Sequence, residues 1–309
     1  MLVSLGLSDL SLTDSTTKIK MSEAQPSNHR GGLKGILYSI GRIIAICYFV
    51  VLVALVAMET RLVYPGAYMD DDRQLVLDLD PDITTVVCTA ADGVQTKGRL
   101  VEKPDADQVV LFLHGNGTKA IWQDSHIESI SRDFNAHVLA AEFRGFAGDH
   151  YTPSEAGVIA DSIGACDYLC ERFDLEPNEI IVYGESLGGG CAAAVAAEGG
   201  AKVLILERTF DRLVDLSAGM YPWVPVKRLM RNRFDSVARL SDYGGPLIQL
   251  HGDADTLIPI ESGRNLFQSI PSTNKVWIEM NGIGHNDSMP PSAKAKLKEA
   301  VTRLVTASN

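Results

Sequence analysis

The residues best suited to covalent chemistry are at positions 184–188, Gly-Glu-Ser-Leu-Gly. An apolar, β-branched run at residues 179–183 precedes them and a run of small residues at 189–197 follows them, which predicts a buried strand that turns into a helix. Glycines two positions before and two positions after Ser186 allow a sharp turn and a close approach between strand and helix. A serine on such a turn is strained and its hydroxyl is exposed. The pattern therefore predicts that Ser186 is a nucleophile.

A serine hydroxyl is a weak nucleophile until a base removes its proton, and histidine is the usual base. Only two of the seven histidines follow Ser186 in the chain, His251 and His285. His251 ends a predicted strand, directly before a glycine. His285 lies in the glycine-containing loop 282–287 after the last predicted strand, and from there it can reach across to the serine. We predict that His285 is the base.

The base needs a carboxylate that fixes its tautomer and stabilises its protonated form. Three aspartates are candidates: Asp253 and Asp255, which follow the strand ending at His251, and Asp287. Asp287 is too close in sequence to His285 to orient the ring. The carboxylate must lie a short distance past the end of the strand to be placed behind the imidazole. This spacing favours Asp255 and leaves Asp253 as the alternative.

The negative oxygen of a tetrahedral intermediate needs two backbone N–H donors. We predict one donor at Leu187, which follows the nucleophile and begins the helix. The second donor belongs to the turn 114–117, His-Gly-Asn-Gly, which follows an apolar predicted strand. The N–H of Asn116 is our first choice and that of Gly117 the second. This chemistry requires no metal ion and no organic cofactor, and the five cysteines show no metal-binding spacing.

These residues require a scaffold, and strands alternate with helices from residue 84 onward. The continuous apolar strands predict a mainly parallel sheet with helices on both faces. The composition, 46% hydrophobic and 22% charged, is that of a globular protein, and a net charge of −11 argues against nucleic-acid binding. Strands are predicted at residues 84–89, 97–101, 109–114, 137–142, 179–183, 202–206, 246–251 and 275–280.

Residues 43–58 carry no charge, and extension to residue 36 across Arg42 gives a segment long enough to cross a bilayer. We predict a transmembrane helix at 36–58, a linker at 59–83 and a catalytic domain at 84–309. A cleaved signal peptide and a buried core helix are the alternatives. The run is apolar all round and no clear cleavage site follows it, which favours the membrane span.

The basic residues predict how this span is oriented. Five of them precede or begin the span, and one, Arg61, closely follows it. The five are Lys18, Lys20, Arg30, Lys34 and Arg42. By the positive-inside rule the N-terminus is cytoplasmic and the catalytic domain lies on the opposite side.

Residues 1–35 are polar and predicted to be disordered. We hypothesise that translation starts at Met21. Detection of a peptide from residues 1–20 would exclude this start site.

Six motifs occur along the chain: HGNG (114–117), EFRGFAGDHYTPSEAG (142–157), GESLGG (184–189), ERTF (207–210), HGDADTLIP (251–259) and GIGHND (282–287). In this order they resemble the α/β-hydrolase superfamily, and most closely its membrane-anchored serine hydrolases of the bud-emergence and abhydrolase-domain type, which are often classed as serine-aminopeptidase-like. The resemblance covers residues 36–305 and implies an eight-stranded α/β-hydrolase fold with Ser186, Asp255 and His285 as the triad. Relatives often have DYRGYG where this chain has EFRGFA, but Arg144 is kept, for which we expect a structural role.

Residues 209–245 join two predicted strands and form either a small cap over the site or surface helices that pack on the sheet. We predict that Trp122, Phe146 and Trp223 line an apolar acyl pocket, because they lie on loops at the C-terminal edge of the sheet. The sequence thus predicts a membrane-anchored serine hydrolase of ester, thioester or lipid acyl bonds. A serine peptidase and a non-catalytic binding protein on the same fold are the alternatives, and the oligomeric state stays open.

Overall fold

A mainly parallel sheet of eight strands organises the chain from Leu52 onward. The computed structural model describes residues 30–69 and 83–308. The strand order is β1-β2-β4-β3-β5-β6-β7-β8, in which β2 pairs antiparallel with β1 and β4 and the other pairs are parallel. The strands are β1 Thr84–Thr89, β2 Gln95–Val101, β3 Gln108–Leu113, β4 Ala136–Ala141, β5 Ile181–Glu185, β6 Val203–Glu207, β7 Leu247–Gly252 and β8 Lys275–Met280.

Helices cover both faces of the sheet because successive strand residues point to opposite sides and both sides are apolar. In β3, Leu111 and Leu113 belong to one buried core, whereas Val110 and Phe112 belong to the other. The prediction of a mainly parallel α/β fold is confirmed. The described helices are α1 Arg30–Val63, α2 Asp124–Phe134, α3 Glu155–Phe173, α4 Leu187–Gly199, α5 Leu213–Met220, α6 Val226–Leu229, α7 Ser236–Arg239, α8 Ile260–Ser269 and α9 Pro291–Ser308.

Helix α1 contains a candidate membrane span, Gly32–Val63, by its length and apolar composition. Its large apolar side chains from Leu33 to Val53 are mostly exposed. The helix itself extends beyond the predicted bounds of 36 and 58 at both ends. No proline interrupts the chain between residues 30 and 63, so the helical hydrogen bonds continue until just before Pro65.

The predicted disordered tail and linker are described only in part. Residues 30–35 of the tail and 59–63 of the linker belong to α1, which corrects both assignments. A short 3₁₀ helix, Pro65–Tyr68, follows. Residues 1–29, including Met21, and residues 70–82 lie outside the described part of the chain.

Arg144 has the structural role expected for it. Its guanidinium donates hydrogen bonds to Asp161 on α3, at 2.8–3.0 Å, and to Asp92 in the β1–β2 turn, at 2.6 and 3.1 Å. The side chain of Asp161 is fully buried, whereas that of Asp92 is half-exposed. Arg144 therefore ties the loop after β4 to a helix and to a turn at the sheet edge.

We expect Arg144→Ala to lower the free energy of unfolding by about 3–5 kcal/mol, because it leaves the buried carboxylate of Asp161 without its partner. Urea unfolding of the detergent-solubilised protein measures this. The matched control is Arg264→Ala, which breaks an exposed pair with Glu279 and should have a much smaller effect. Equal losses in the two variants would contradict a structural role for Arg144.

Candidate active site

Ser186 occupies a strained turn between β5 and α4, with φ 53° and ψ −117°. Two flanking hydrogen bonds hold this backbone: the Ser186 N–H donates to the carbonyl of Glu207 at 2.9 Å, and the Thr209 hydroxyl donates to the carbonyl of Ser186 at 2.7 Å. A Cβ on Gly188 would overlap the carbonyl oxygen of Leu113 at the end of β3. The glycine spacing thus serves the close approach predicted from the sequence, and the turn presents the serine at the C-terminal edge of the sheet.

His285 lies between Ser186 and Asp255 and hydrogen-bonds to both. Its Nε2 is 3.0 Å from Ser186 Oγ, and its Nδ1 is 2.7 Å from Asp255 Oδ2. An ionised Asp255 can only accept, so Nδ1 carries the proton and Nε2 is left as the acceptor for the serine hydroxyl. The structure brings together the three residues predicted to form a triad, with the hydrogen bonds that proton transfer needs.

Asp255 is the aspartate at the imidazole because the other two are engaged elsewhere. Asp253 accepts a hydrogen bond from the N–H of Gly282, and Asp287 accepts one from the N–H of Gly284. The Oδ1 of Asp255 accepts from the N–H groups of Leu257 and Ile258, at 2.9 and 2.8 Å. These two donors leave Oδ2 directed at His285.

The hydrogen bonds around Asp255 also set its ionisation. Burial by itself would raise the pKa of this carboxyl, but the hydrogen bonds from His285 and from the N–H of Ile258 outweigh burial and lower the pKa below its ordinary value. His251, the other downstream histidine, is fully buried with its Nε2 2.8 Å from the carbonyl of Ile258. Burial lowers its pKa, so His251 is a neutral structural histidine.

Both predicted oxyanion donors lie beside Ser186. Leu187 is the first residue of α4, where backbone N–H groups have no partner within the helix. Asn116 and Leu187 line the same cavity as Ser186, and a Cβ on Gly115 would lie 3.4 Å from that of Ser186. Within the described residues, neither the N–H of Asn116 nor that of Leu187 donates a hydrogen bond.

The turn that carries Asn116 is held from the sheet side by a buried histidine and a buried glutamate. His114 Nε2 is 3.0 Å from Glu142 Oε1, and Glu142 Oε2 accepts the N–H of Ala120 at 2.9 Å. The HGNG motif is therefore fastened to the first residue of the EFRGFA motif. The sequence contains both motifs, but it did not predict this contact between His114 and Glu142.

An apolar cavity of about 300 Å³ opens onto Ser186. The 209–245 insertion supplies part of its lining with α5, α6 and their connection, and the end of α1 supplies another part. Leucine, valine and methionine side chains dominate the lining. The cavity suits a hydrocarbon chain whose carbonyl is placed at the serine.

The predicted pocket residues Trp122, Phe146 and Trp223 do not line this cavity, which corrects that prediction. Phe146 is fully buried and packs edge-on against Tyr64, with ring centroids 6.4 Å apart. Trp122 lies in a 3₁₀ turn beside Lys119, and the side chain of Trp223 is 53% exposed. A position at a strand end does not determine which of several surfaces a side chain faces.

Arg208 is a site residue that the sequence analysis did not single out. Its guanidinium donates to the carbonyl of Asp287 at 2.6 Å, and it pairs with Glu185 at 3.0 Å and Glu207 at 2.7 Å. Through these contacts Arg208 joins the loop of His285 to the ends of β5 and β6 beside Ser186. Burial, together with the charge of Glu207, raises the pKa of Glu185 to about 7. The place of Arg208 in the ERTF motif was the available signal.

Metal binding is not indicated by the described side chains. In residues 30–69 and 83–308, no group of three or more His, Cys, Asp or Glu side chains is arranged to hold an ion.

Comparison with known proteins identifies the family and the fold. The sequence model of the alpha/beta hydrolase family matches residues 110–285. Protein bem46 of Schizosaccharomyces pombe is 27% identical over 247 residues, which cover 74% of this chain and 81% of that protein. Alpha/beta hydrolase domain-containing protein 17B of Xenopus tropicalis is 26% identical over 204 residues, which cover 65% and 68%.

Among solved structures, an esterase of Pyrococcus furiosus superimposes with a TM-score of 0.60 at 18% identity. The match covers 74% of this chain and 93% of the esterase, and at this identity it shows a shared fold. The family match spans more than half of the chain and includes Ser186, Asp255 and His285. The chain belongs to the alpha/beta hydrolase family.

Proposed function

We propose that the protein is a membrane-anchored serine hydrolase that cleaves carboxylic ester, thioester or lipid acyl bonds through an acyl-enzyme. The observation that carries the proposal is the continuous hydrogen-bond chain from Ser186 Oγ through His285 to Asp255. A nucleophile, a base and an orienting carboxylate in these positions are what acyl transfer requires.

In the first half-reaction, Ser186 Oγ attacks the acyl carbonyl carbon while His285 Nε2 accepts the hydroxyl proton. The charge on the imidazolium is stabilised by Asp255, and the N–H groups of Leu187 and Asn116 donate to the negative oxygen of the intermediate. His285 then donates the proton to the leaving group, and the acyl group stays on the serine. In the second half-reaction a water molecule, deprotonated by His285, releases the acid.

The lining of the cavity favours an acyl substrate over a peptide with a free amine. A serine aminopeptidase needs a carboxylate free to bind the substrate ammonium group. Glu59 is the acidic residue among the described lining, and both of its oxygens are occupied: Oε1 accepts hydrogen bonds from Arg231 and Asn232, and Oε2 accepts one from Arg231. The remaining apolar lining supports a fatty acyl chain instead.

We further propose that α1 anchors the protein in a membrane with its N-terminus in the cytoplasm and the catalytic domain on the other side. The length and apolar composition of Gly32–Val63 support the anchor. The excess of basic residues before the span supports the orientation.

The test is to label the detergent-solubilised protein with a fluorophosphonate and to map the adduct by mass spectrometry. We expect one adduct, on the peptide that contains Ser186, because the probe reacts with a serine whose hydroxyl is activated by a base. Heat-denatured protein is the control and should not react, since the hydrogen-bond chain is lost. A folded protein that forms no adduct, or forms it on another serine, would refute the proposal and favour a non-catalytic binding protein.

A further inference from the structure

On the basis of the function proposed above, we propose that the C-terminal turns of α1 form one wall of the acyl pocket. The substrate is then a fatty acyl ester that enters this pocket from the membrane in which α1 is embedded. The anchor would in this way determine which substrates the enzyme accepts, in addition to fixing its location.

The cavity lining from α1 follows the period of one helix face. Leu55, Val56, Glu59, Leu62 and Val63 line the cavity and are spaced at i, i+1, i+4, i+7 and i+8. This spacing is that of residues on one side of an α-helix. The wall is therefore a continuous helical stripe that faces the same cavity as Ser186.

Glu59, in the middle of this stripe, fixes it to the catalytic domain. Its Oε1 accepts from the N–H of Arg231 at 2.8 Å and from the N–H and Nδ2 of Asn232 at 2.9 and 2.8 Å. Its Oε2 accepts from Arg231 Nε at 2.9 Å. Charge-assisted hydrogen bonds are stronger than neutral ones, so this part of α1 belongs structurally to the pocket.

The end of α1 also contacts the turn that carries the predicted oxyanion donor. The side-chain amide of Asn116 donates to the carbonyl of Val63 at 2.9 Å, and the N–H of Gly66 donates to the carbonyl of Asn116 at 2.8 Å. A Cβ on Gly66 would crowd this carbonyl at 2.8 Å. One hydrogen bond thus joins the oxyanion turn to the last wall residue, Val63, and a second joins it to the 3₁₀ helix that directly follows α1.

All five residues of this wall belong to the candidate span Gly32–Val63. Leu55 and Val56 also fall within its uncharged run 43–58. A hydrocarbon chain that moves from lipid into the apolar cavity does not have to cross water, so its transfer avoids the cost of hydrating apolar surface. The substrate class that uses this arrangement is a fatty acyl ester dissolved in the bilayer.

The reaction on this substrate is a hydrolysis that needs only water as co-reactant. A bond forms between Ser186 Oγ and the acyl carbon, and the bond from that carbon to the alcohol oxygen breaks. The alcohol leaves with the proton that His285 took from the serine. Water then adds to the acyl carbon, and the fatty acid is released as the serine regains a proton.

The test compares p-nitrophenyl butanoate with p-nitrophenyl dodecanoate on the full-length protein in detergent. We expect Leu55→Trp to lower the ratio of kcat/KM for the long ester to that for the short ester by at least about tenfold, because the indole fills the pocket. Leu55→Ala should shift the chain-length optimum towards longer chains. Val53→Trp is the matched control, since Val53 is 52% exposed and does not line the cavity, and it should keep the wild-type ratio.

Fluorophosphonate labelling separates the two possible failures. A wild-type protein that does not label would refute the proposed function. Variants at Leu55 that label at Ser186 but keep the wild-type ratio would overturn the proposed wall, and Leu55→Ala keeps this test valid if the tryptophan variant does not fold.

Entry from the membrane is tested with the protein reconstituted into phosphatidylcholine vesicles. The dodecanoate ester is placed either in the same vesicles as the protein or in separate vesicles mixed with them. We expect hydrolysis to be at least about tenfold faster in the first case, because the ester then reaches the pocket without crossing water. Equal rates in the two arrangements would overturn entry from the membrane.

Discussion

Ser186→Ala is expected to lower kcat for a p-nitrophenyl ester by about a million-fold and to abolish fluorophosphonate labelling. The variant keeps the cavity and the N–H groups of Leu187 and Asn116, but it has no oxygen to form the acyl-enzyme. Any remaining turnover would come from water held near the oxyanion donors, which is a far slower route. The measurement is steady-state hydrolysis of the butanoate ester by both proteins in the same detergent.

The fold should survive Ser186→Ala because the backbone of the turn is held by groups other than the serine side chain. The hydrogen bonds from Ser186 N–H to Glu207 and from Thr209 to the Ser186 carbonyl involve main-chain atoms of residue 186. The control is Ser129→Ala, which removes a hydroxyl bonded to Lys294 outside the cavity and should retain wild-type kcat. A Ser186→Ala protein whose kcat is within tenfold of the wild-type value would show that another group is the nucleophile.

The strands and the elbow could be predicted from the sequence because their signals are local. Most of the strands are short apolar runs followed by glycine or polar residues, and all eight were predicted to within about two residues of their observed ends. The spacing of Gly184 and Gly188 around Ser186 encodes a steric requirement that the structure explains: a Cβ on either glycine would overlap a neighbouring backbone atom. Such constraints depend on residues that are close in the chain.

The choice among three aspartates needed tertiary structure. Asp253 and Asp255 are two residues apart, and the sequence gives each a short reach past the end of β7. Asp253 is turned away by the N–H of Gly282, which belongs to the loop after β8. This hydrogen bond between two loops has no signature in the sequence around Asp253, so spacing could favour Asp255 but could not exclude its neighbour.

The pocket was predicted least well because its lining comes from segments far apart in the chain. Glu59 was assigned to a linker, yet its partners are 172 and 173 residues later, at Arg231 and Asn232. Large aromatic residues on loops at the sheet edge were reasonable candidates, but Phe146 packs into the core beneath Gly66 instead. The sequence shows that a loop residue is apolar, but it does not show which apolar surface the side chain packs against.

Asp255→Asn is expected to lower kcat about ten-thousand-fold while leaving the triad geometry in place. The amide NH₂ that replaces Oδ2 would donate to His285 Nδ1 and so favour the tautomer with its proton on Nε2. That nitrogen faces Ser186 Oγ at 3.0 Å and could no longer accept the hydroxyl proton. Fluorophosphonate labelling should slow by a similar factor, because it depends on the same proton transfer.

The matched control is Asp253→Asn, which makes the same chemical change two residues earlier at a carboxylate bonded to Gly282. It should keep kcat near the wild-type value. A large loss in Asp253→Asn and a small one in Asp255→Asn would exchange the two roles and refute the assignment of Asp255.

The pH dependence of stability tests the ionisation and hydrogen bonding of Asp255 independently of catalysis. Because the native pKa of Asp255 is lowered, its ionised form stabilises the folded protein above the unfolded-state pKa of about 3.9. This contribution is lost as the pH falls through the lowered native pKa. Asp255→Asn lacks the titrating group, so its free energy of unfolding should fall less than that of the wild type between neutral and acidic pH. Parallel curves for the two proteins would contradict the hydrogen bonds described for Asp255, even if kcat were reduced as expected.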